Sequence, residues 1–385
     1  MIAQSILAPG LGNWMDNQKR LPVMVLAAFV QIVSLLGFLA VAFVLSNPAT
    51  SSMPWLFGLI CILGAVEALG GLLMDVAISR DWLPVLFGKT TTTLNHVNVQ
   101  LARVDLAAEV IAPLTAGVVI QSLGSTSLWP VILFGSLRIL CLFPQCLFFK
   151  SAIERDNELG TRKGLDVSTA PKVSLLASWK NFLNHKGSVQ LIVLSYALVY
   201  LTVLSPHGLV LTAFLSTQSL SPAALSIFRS SGALIGVLGV TAFQLSVKKH
   251  GLESSTMGFI AFQAACAVSA AITYALVGTS GSLALLYFFM MFVALARFGL
   301  YGYEVGALQL QQTFVAPQHR GAIGTIEKSL CYFACLIMYA ASLGVTSPRS
   351  FTVIVWGSAA AICCAAAVFF TWWKKKGSSP QAIVA

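Results

Sequence analysis

Ten long apolar runs separated by short loops are what most limits the folds open to this chain of 385 residues. They are roughly Leu21–Ser46, Trp55–Ser79, His96–Leu123, Trp129–Phe149, Ser188–Thr217, Pro222–Ser246, Glu253–Gly278, Leu283–Phe314, Gly321–Val345 and Phe351–Trp373. Each meets or exceeds the ~20 residues that a helix needs to cross the hydrocarbon layer. Hydrophobic residues make up 57% and charged residues only 9%, against about 25% charged in a soluble domain, so the apolar surface must face lipid. The sequence predicts an all-α polytopic membrane protein.

Charge sets the expected orientation. Lys19, Arg20, Arg80, Lys89, the 150–186 loop, Lys248, Lys249, Arg320 and Lys374 to Lys376 fall on one side, whereas the loops of the other side hold only Arg349. Basic loops stay cytosolic, which places the C-terminus and the long middle loop in the cytosol or its topological equivalent. The net charge of +10 is explained by these flanks, so no nucleic-acid partner is expected. All eight cysteines lie inside apolar runs without CxxC spacing, which argues against a disulfide framework or zinc knuckle.

The one extended polar stretch divides the chain. Residues 1–149 form an N-terminal transmembrane half, 150–187 a cytosolic basic linker, 188–374 a C-terminal half of six spans, and 375–385 a cytosolic tail. Within the linker, Ser178 to Asn184 reads as a short amphipathic helix at the membrane surface. Only four complete spans precede it, a departure from the balance of transporters built from two six-helix halves. Met1–Leu11, apolar but too short to cross, runs into a compact charged turn from Gly12 to Arg20. It reads as the tail of a second helix whose start, with the first helix, is missing.

Gly12, Asp16 and Arg20 at four-residue spacing resemble the loop signature of the major facilitator superfamily, in which a carboxylate and a cation latch the cytosolic side. More specific are Arg80-Asp81-Trp82, then Asn98, Arg103 and Asp105, then Ala112-Pro113. Farther on come Ala296-Arg297-Phe298-Gly299-Leu300, Glu304, Gln311-Gln312 and Arg320-Gly321. With these the chain resembles the ferroportin family of iron exporters (solute carrier family 40). Pro206-His207-Gly208 followed by Leu209 to Phe214 is similar to its plant and plastid-type branch. The resemblance implies a major facilitator-type bundle of two pseudo-symmetric halves, here with a shortened N-half. In animal members the second metal site resembles a Cys on the broken seventh helix with a His on the eleventh. Here those positions read Gly208, beside His207, and Met338.

The residues themselves point the same way. Asn95, Asn98, Asp105 and Glu109 recur at helical spacing, so a polar stripe must face other helices or a water-filled path. Arg80, Asp81, Arg103 and Asp105 fit either a gate that breaks and reforms or a static network. The fifth span is interrupted at Ser205-Pro206-His207-Gly208, which frees carbonyls and an imidazole near mid-membrane, where transporters place substrate. Glu327, Cys331, Cys335 and Met338 share one helical face, and sulfur with imidazole suits a borderline divalent metal. Arg297, Tyr301 and Glu304 share another, where Glu304 serves either as a proton acceptor or as the standing partner of Arg297. Arg138, Arg229 and Lys328 have no partner legible in the sequence.

No phosphate-binding Gly-rich loop, HExxH or GxSxG motif occurs, so an enzyme is not expected. The expected function is efflux of iron(II) or a related divalent transition metal by alternating access, with the metal as substrate and no cofactor. His207, Met338 and Cys335 would hold the metal, while Asp16, Arg20, Arg80, Asp81, Asn98, Arg103 and Asp105 would close the cytosolic side. Arg297 and Glu304 are the candidates for proton coupling or an ion pair. Beyond metal and membrane lipid no partner is expected, and the chain is read as a monomer. Plasma membrane, vacuole and plastid envelope all fit. The rival readings are an exporter of an organic cation or metal chelate, and a truncated isoform that does not transport.

Overall fold

The structure, a computed structural model, describes residues 1–46, 53–124, 128–160, 175–184, 188–218, 220, 222–280, 282–345 and 347–377. Parts of the expected linker (161–174 and 185–187) and most of the expected tail (378–385) lie outside the described residues. All regular structure among those described is helical. In chain order it comprises α1 (Ile2–Asp16), α2 (Arg20–Leu45), α3 (Pro54–Val76), α4 (Leu83–Phe87), α5 (Thr91–Leu123), α6 (Trp129–Arg155), α7 (Asn157–Gly160) and α8 (Leu175–Leu183). There follow α9 (Val189–Val199), α10 (Leu209–Ser216), α11 (Pro222–His250), α12 (Leu252–Ser280), α13 (Leu283–Phe314), α14 (Arg320–Ser342) and α15 (Pro348–Gly377).

Nine helical stretches of 26–34 residues are long and apolar enough to cross a membrane among the described residues. They correspond to nine of the ten apolar runs. The tenth, Ser188–Thr217, is two short helices, α9 and α10, joined by nine non-helical residues from Tyr200 to Gly208. The break is thus wider than its Pro-His-Gly signature. Several of its amides are satisfied, two within the break and one from outside it: Ser205 N donates to Val203 O (2.7 Å), Gly208 N to Ser205 O (2.9 Å), and Val203 N to Ser358 Oγ of α15 (3.0 Å). Irregular backbone at membrane depth survives only where it is buried in protein or lines a water-filled cavity.

Two further boundaries differ from expectation. The apolar start is helical through Asp16, so the charged turn shrinks to Asn17–Lys19 before α2 begins. Between α3 and α4 the chain stays helical but widens into a π-turn over Ala77–Trp82, which carries the Arg80-Asp81-Trp82 motif. Such turns shift the side-chain register and are frequent at functional sites. Elsewhere punctuation follows sequence: prolines open α3, α11 and α15, and Gly251, at φ +81°, separates α11 from α12 in a conformation that a Cβ would strain.

Two compact units can be drawn. Unit 1 takes Met1–Lys89, Ile111–Phe182 and Val315–Ser329, and unit 2 takes Thr90–Val110, Leu183–Phe314 and Leu330–Ala385. In unit 1, α2 packs on α3 and α6, and Ser178 of α8 donates a 2.7 Å hydrogen bond to the carbonyl of Pro9 in α1. Unit 2 has two apolar clusters. One gathers Leu211, Leu215, Phe289 and Phe351; the other gathers Phe243, Ile260, Tyr303 and Phe369, all buried. Phe259 of α12 and Phe298 of α13 stack with ring centroids 5.3 Å apart.

Candidate functional site

In unit 1 the charged residues of the loop signatures, Asp16, Arg20, Arg80 and Asp81, are buried, and each has a partner. Asp16, at the end of α1, accepts hydrogen bonds from the amides of Gly321 (2.8 Å) and Ala322 (2.7 Å) in the first turn of α14. A helix start presents unsatisfied N–H groups and a partial positive charge, which is why a carboxylate is stable there. Gly321 permits the approach, because a Cβ on it would lie 2.6 Å from Asp16 Oδ1.

Arg20, the first residue of α2, makes a two-pronged pair with Asp81: Nε to Oδ2 at 2.9 Å and Nη2 to Oδ1 at 3.1 Å. Its Nη1 donates to the carbonyls of Glu158 (3.0 Å) and Leu159 (3.2 Å), so the guanidinium is anchored on both edges. The neighbouring Arg80 turns to a different helix and pairs with Glu327 of α14. Next to Glu327, Lys328 pairs with Asp75 at 3.0 Å. In the middle of this unit's spans Arg138 donates to Gln31 (2.8 Å) and lies 3.9 Å from Glu67. Lys328 and Arg138 therefore have the partners that sequence reading left unnamed, and Glu327 belongs with Arg80.

In unit 2 the first half of α5 is joined to α13 by pairs of side-chain amides and to α11 by a guanidinium on a hydroxyl. Asn95 Nδ2 donates to Gln309 Oε1 (2.9 Å), and Asn98 exchanges hydrogen bonds with Gln312 at 2.7 and 3.3 Å. Arg103 donates to Thr241 Oγ1 of α11 at 3.0 Å. The polar stripe is not uniform: Asn95 and Asn98 are buried, Glu109 is half-buried and Asp105 is exposed.

Around the break in unit 2 the side chains converge more closely. His207 Nε2 lies 3.8 Å from Glu109 Oε1 and has no hydrogen-bond partner, although it is buried. Glu109 Oε2 in turn accepts from the Tyr301 hydroxyl at 2.8 Å, and Arg297, one turn earlier on α13, reaches Ser205 in the break. Glu304 accepts from the Tyr200 hydroxyl (3.1 Å) and from that of Tyr196 (3.5 Å). Cys335 Sγ stands 4.0 Å from the carbonyl of Tyr200, where the break begins. Met338 is buried in an apolar cluster with Val203 and Leu204.

Of the three expected metal ligands, Cys335 thus borders the start of the break and His207 lies near its end, while Met338 shares an apolar cluster with Val203 and Leu204. Among the described residues, however, no group of three or more His, Cys, Asp and Glu side chains is placed to hold a metal ion. Glu109, the nearest carboxylate to His207, was legible only as one member of the stripe.

The family model of Ferroportin1 (FPN1) matches residues 1–362. The chain belongs to the Ferroportin1 family. "Ferreportin" of Bdellovibrio bacteriovorus is 28% identical to it over 374 residues, covering 93% of this chain and 81% of that protein. "Solute carrier family 40 member 2, chloroplastic" of Oryza sativa subsp. japonica is 25% identical over 362 residues, covering 87% of this chain and 60% of the rice protein. A crystal structure of a bacterial homologue of iron transporter ferroportin, in an outward-facing state, superposes with TM-score 0.85 at 27% identity, covering 97% of this chain and 88% of that one. The chain is accordingly an integral, multi-pass membrane protein with the helical fold of the major facilitator transporters.

Proposed function

We propose that this chain exports iron(II) or a related divalent transition metal across its membrane by alternating access. The observation that carries the reading is the imidazole of His207, set in a broken helix with an unpartnered buried Nε2 and a carboxylate, Glu109, at 3.8 Å. Neutral imidazole binds iron(II), cobalt and zinc, and a carboxylate lowers the cost of a divalent charge in a low-dielectric setting. Cys335 and Met338 supply softer donors along the same break. The names of the relatives, an iron transporter among them, support the same cargo.

The cytosolic side would be closed by Asp16, Arg20, Arg80 and Asp81 in one set, and by Asn98, Arg103 and Asp105 in another. Each has to exchange partners during a transport cycle, and Arg297 and Glu304 stand by the break as the proton-coupling pair. Radiolabelled iron flux into proteoliposomes tests the site. His207→Ala should lose at least about tenfold in rate, the equivalent of one charge-assisted contact. Wild-type flux in that variant would remove His207 from the path. Undiminished flux in Arg103→Gln/Asp105→Asn would likewise remove those two from the closure.

A further inference from the structure

Tyr200 belongs to two arrangements within unit 2 at once. Its backbone closes α9: its amide donates to the carbonyl of Ala197 at 3.1 Å, and the non-helical residues of the break start with it. Its side chain turns to α13, where the hydroxyl donates to Glu304 Oε1 at 3.1 Å. Tyr196, one turn earlier, reaches the same oxygen at 3.5 Å and lies 3.3 Å from the Tyr200 hydroxyl, with the two ring centroids 5.4 Å apart.

The two donors are held differently. Ser195, next to Tyr196, donates to the carbonyl of Ala365 in α15 at 2.8 Å and lies 2.7 Å from the hydroxyl of Tyr303 in α13, and both Ser195 and Tyr303 are buried. Tyr196 therefore stands on a turn of α9 that is pinned to two other helices. Tyr200 stands where the regular ladder has stopped, on the backbone that leads into Ser205 and His207.

Glu304 is half-buried, and each hydrogen bond that a carboxylate accepts in such a setting stabilises its charged form. Around this pair of tyrosines and Glu304 stand Cys331 of α14 and, from α13 itself, Tyr301 and Arg297, with Glu109 of α5 bonded to Tyr301. Arg297 is directed to Ser205 and to the Tyr301 ring, 5.8 Å from its centroid. Withdrawing a phenol makes the charge on Glu304 costlier, and binding a proton removes that cost.

We propose that Tyr200 is a positioning residue that ties proton binding at Glu304 to the conformation of the break, which deepens and rests on the metal-transport reading above. When the break rearranges around a metal ion, Tyr200 moves with it and takes its hydroxyl away from Glu304. The carboxylate then takes up a proton from the water that faces it, and returns it to water when the hydroxyl comes back. Tyr196 keeps its place throughout, so Tyr200 alone makes the difference between the two states.

Iron(II) flux into proteoliposomes that hold a pH dye tests this, because iron and protons are followed in the same vesicles. In the native chain iron entry should carry a proton signal. Tyr200→Phe should lose the proton signal per iron, and its flux-against-pH profile should move up by about one pH unit or more, the worth of one charge-assisted hydrogen bond. Tyr196→Phe should displace the profile in the same direction yet keep the signal. Glu304→Gln, which preserves an acceptor for both hydroxyls, should lose the signal too, and it reads the same link should Tyr200→Phe fail to fold. Tyr303→Phe, whose hydroxyl faces Ser195, should keep the native profile and proton count. A native proton count per iron in Tyr200→Phe or Glu304→Gln, an equal loss in Tyr303→Phe, or iron flux without a proton signal in the native chain would each overturn the proposal while metal transport stands. No iron flux in the native chain at any pH would instead overturn the transport reading, and the proposal with it.

Discussion

The carboxylate of Asp16 holds the first turn of α14 through the amide of Gly321, 2.8 Å away. Charge and close approach are both needed, so two different substitutions should break the same contact. Asp16→Asn keeps the size and removes the charge, while Gly321→Ala keeps the charge and pushes it off. Each is expected to cost about 1–3 kcal/mol. The double variant should cost no more than the worse single one, as measured by chemical unfolding in micelles. Simple additivity would mean that the two residues do not act through one contact.

Arg20 and Asp81 form a pair whose side chains are 4% and 3% exposed. Removing one partner strands the other charge in a low-dielectric setting, which costs about 3–5 kcal/mol, whereas replacing both by apolar residues is far milder. Arg20→Met and Asp81→Leu should each lower the unfolding midpoint strongly, and the double variant should regain most of it. The regained stability would come with loss of iron flux if the pair has to open and close during transport.

Asn98 and Gln312 satisfy each other reciprocally. Gln312→Leu leaves both polar atoms of a buried Asn98 side chain unpaired, at about 1–3 kcal/mol, and adding Asn98→Leu should restore part of that loss. A thermal-unfolding cycle on the four chains reads the coupling. Two independent, additive losses would contradict the pairing.

Gly232 of α11 faces the break: a Cβ there would lie 2.9 Å from Pro206 Cγ and 3.5 Å from His207 Nε2. Gly232→Leu should displace the imidazole and cut iron flux at least about tenfold, an effect near 1.4 kcal/mol. Gly58→Leu, where a Cβ would meet nothing within 4 Å, is the matched control and should leave flux unchanged. Equal flux in both variants would separate His207 from the transport path.

The apolar runs were enough to place the long helices, because the membrane demands the same uninterrupted length from each. Pro206 and Gly208 marked the break, but Tyr200–Leu204 are apolar or hydroxylated and carry no punctuation, so its width was not legible. Arg80, Asp81 and Arg20 stood out as charges in greasy surroundings. Their partners did not, since the spacing of residues along one helix says nothing about the register of another. Glu327 shows this best: helical spacing put it on the face of Cys331 and Cys335, whereas it pairs with Arg80, 247 positions away. The same limit hid Gln309, Gln312, Asp75 and Glu67. The exposed position of Asp105 departs from a stripe whose other members turn inward.

The widened turn at Ala77–Trp82 has a mechanical corollary. Two consecutive residues fan out from it to separate anchors, Asp81 to the start of α2 and Arg80 to Glu327 on α14. Because the two bonds spring from adjacent residues of one short stretch, a displacement of either anchor would be felt by the backbone that carries the other, and the two pairs are expected to let go together.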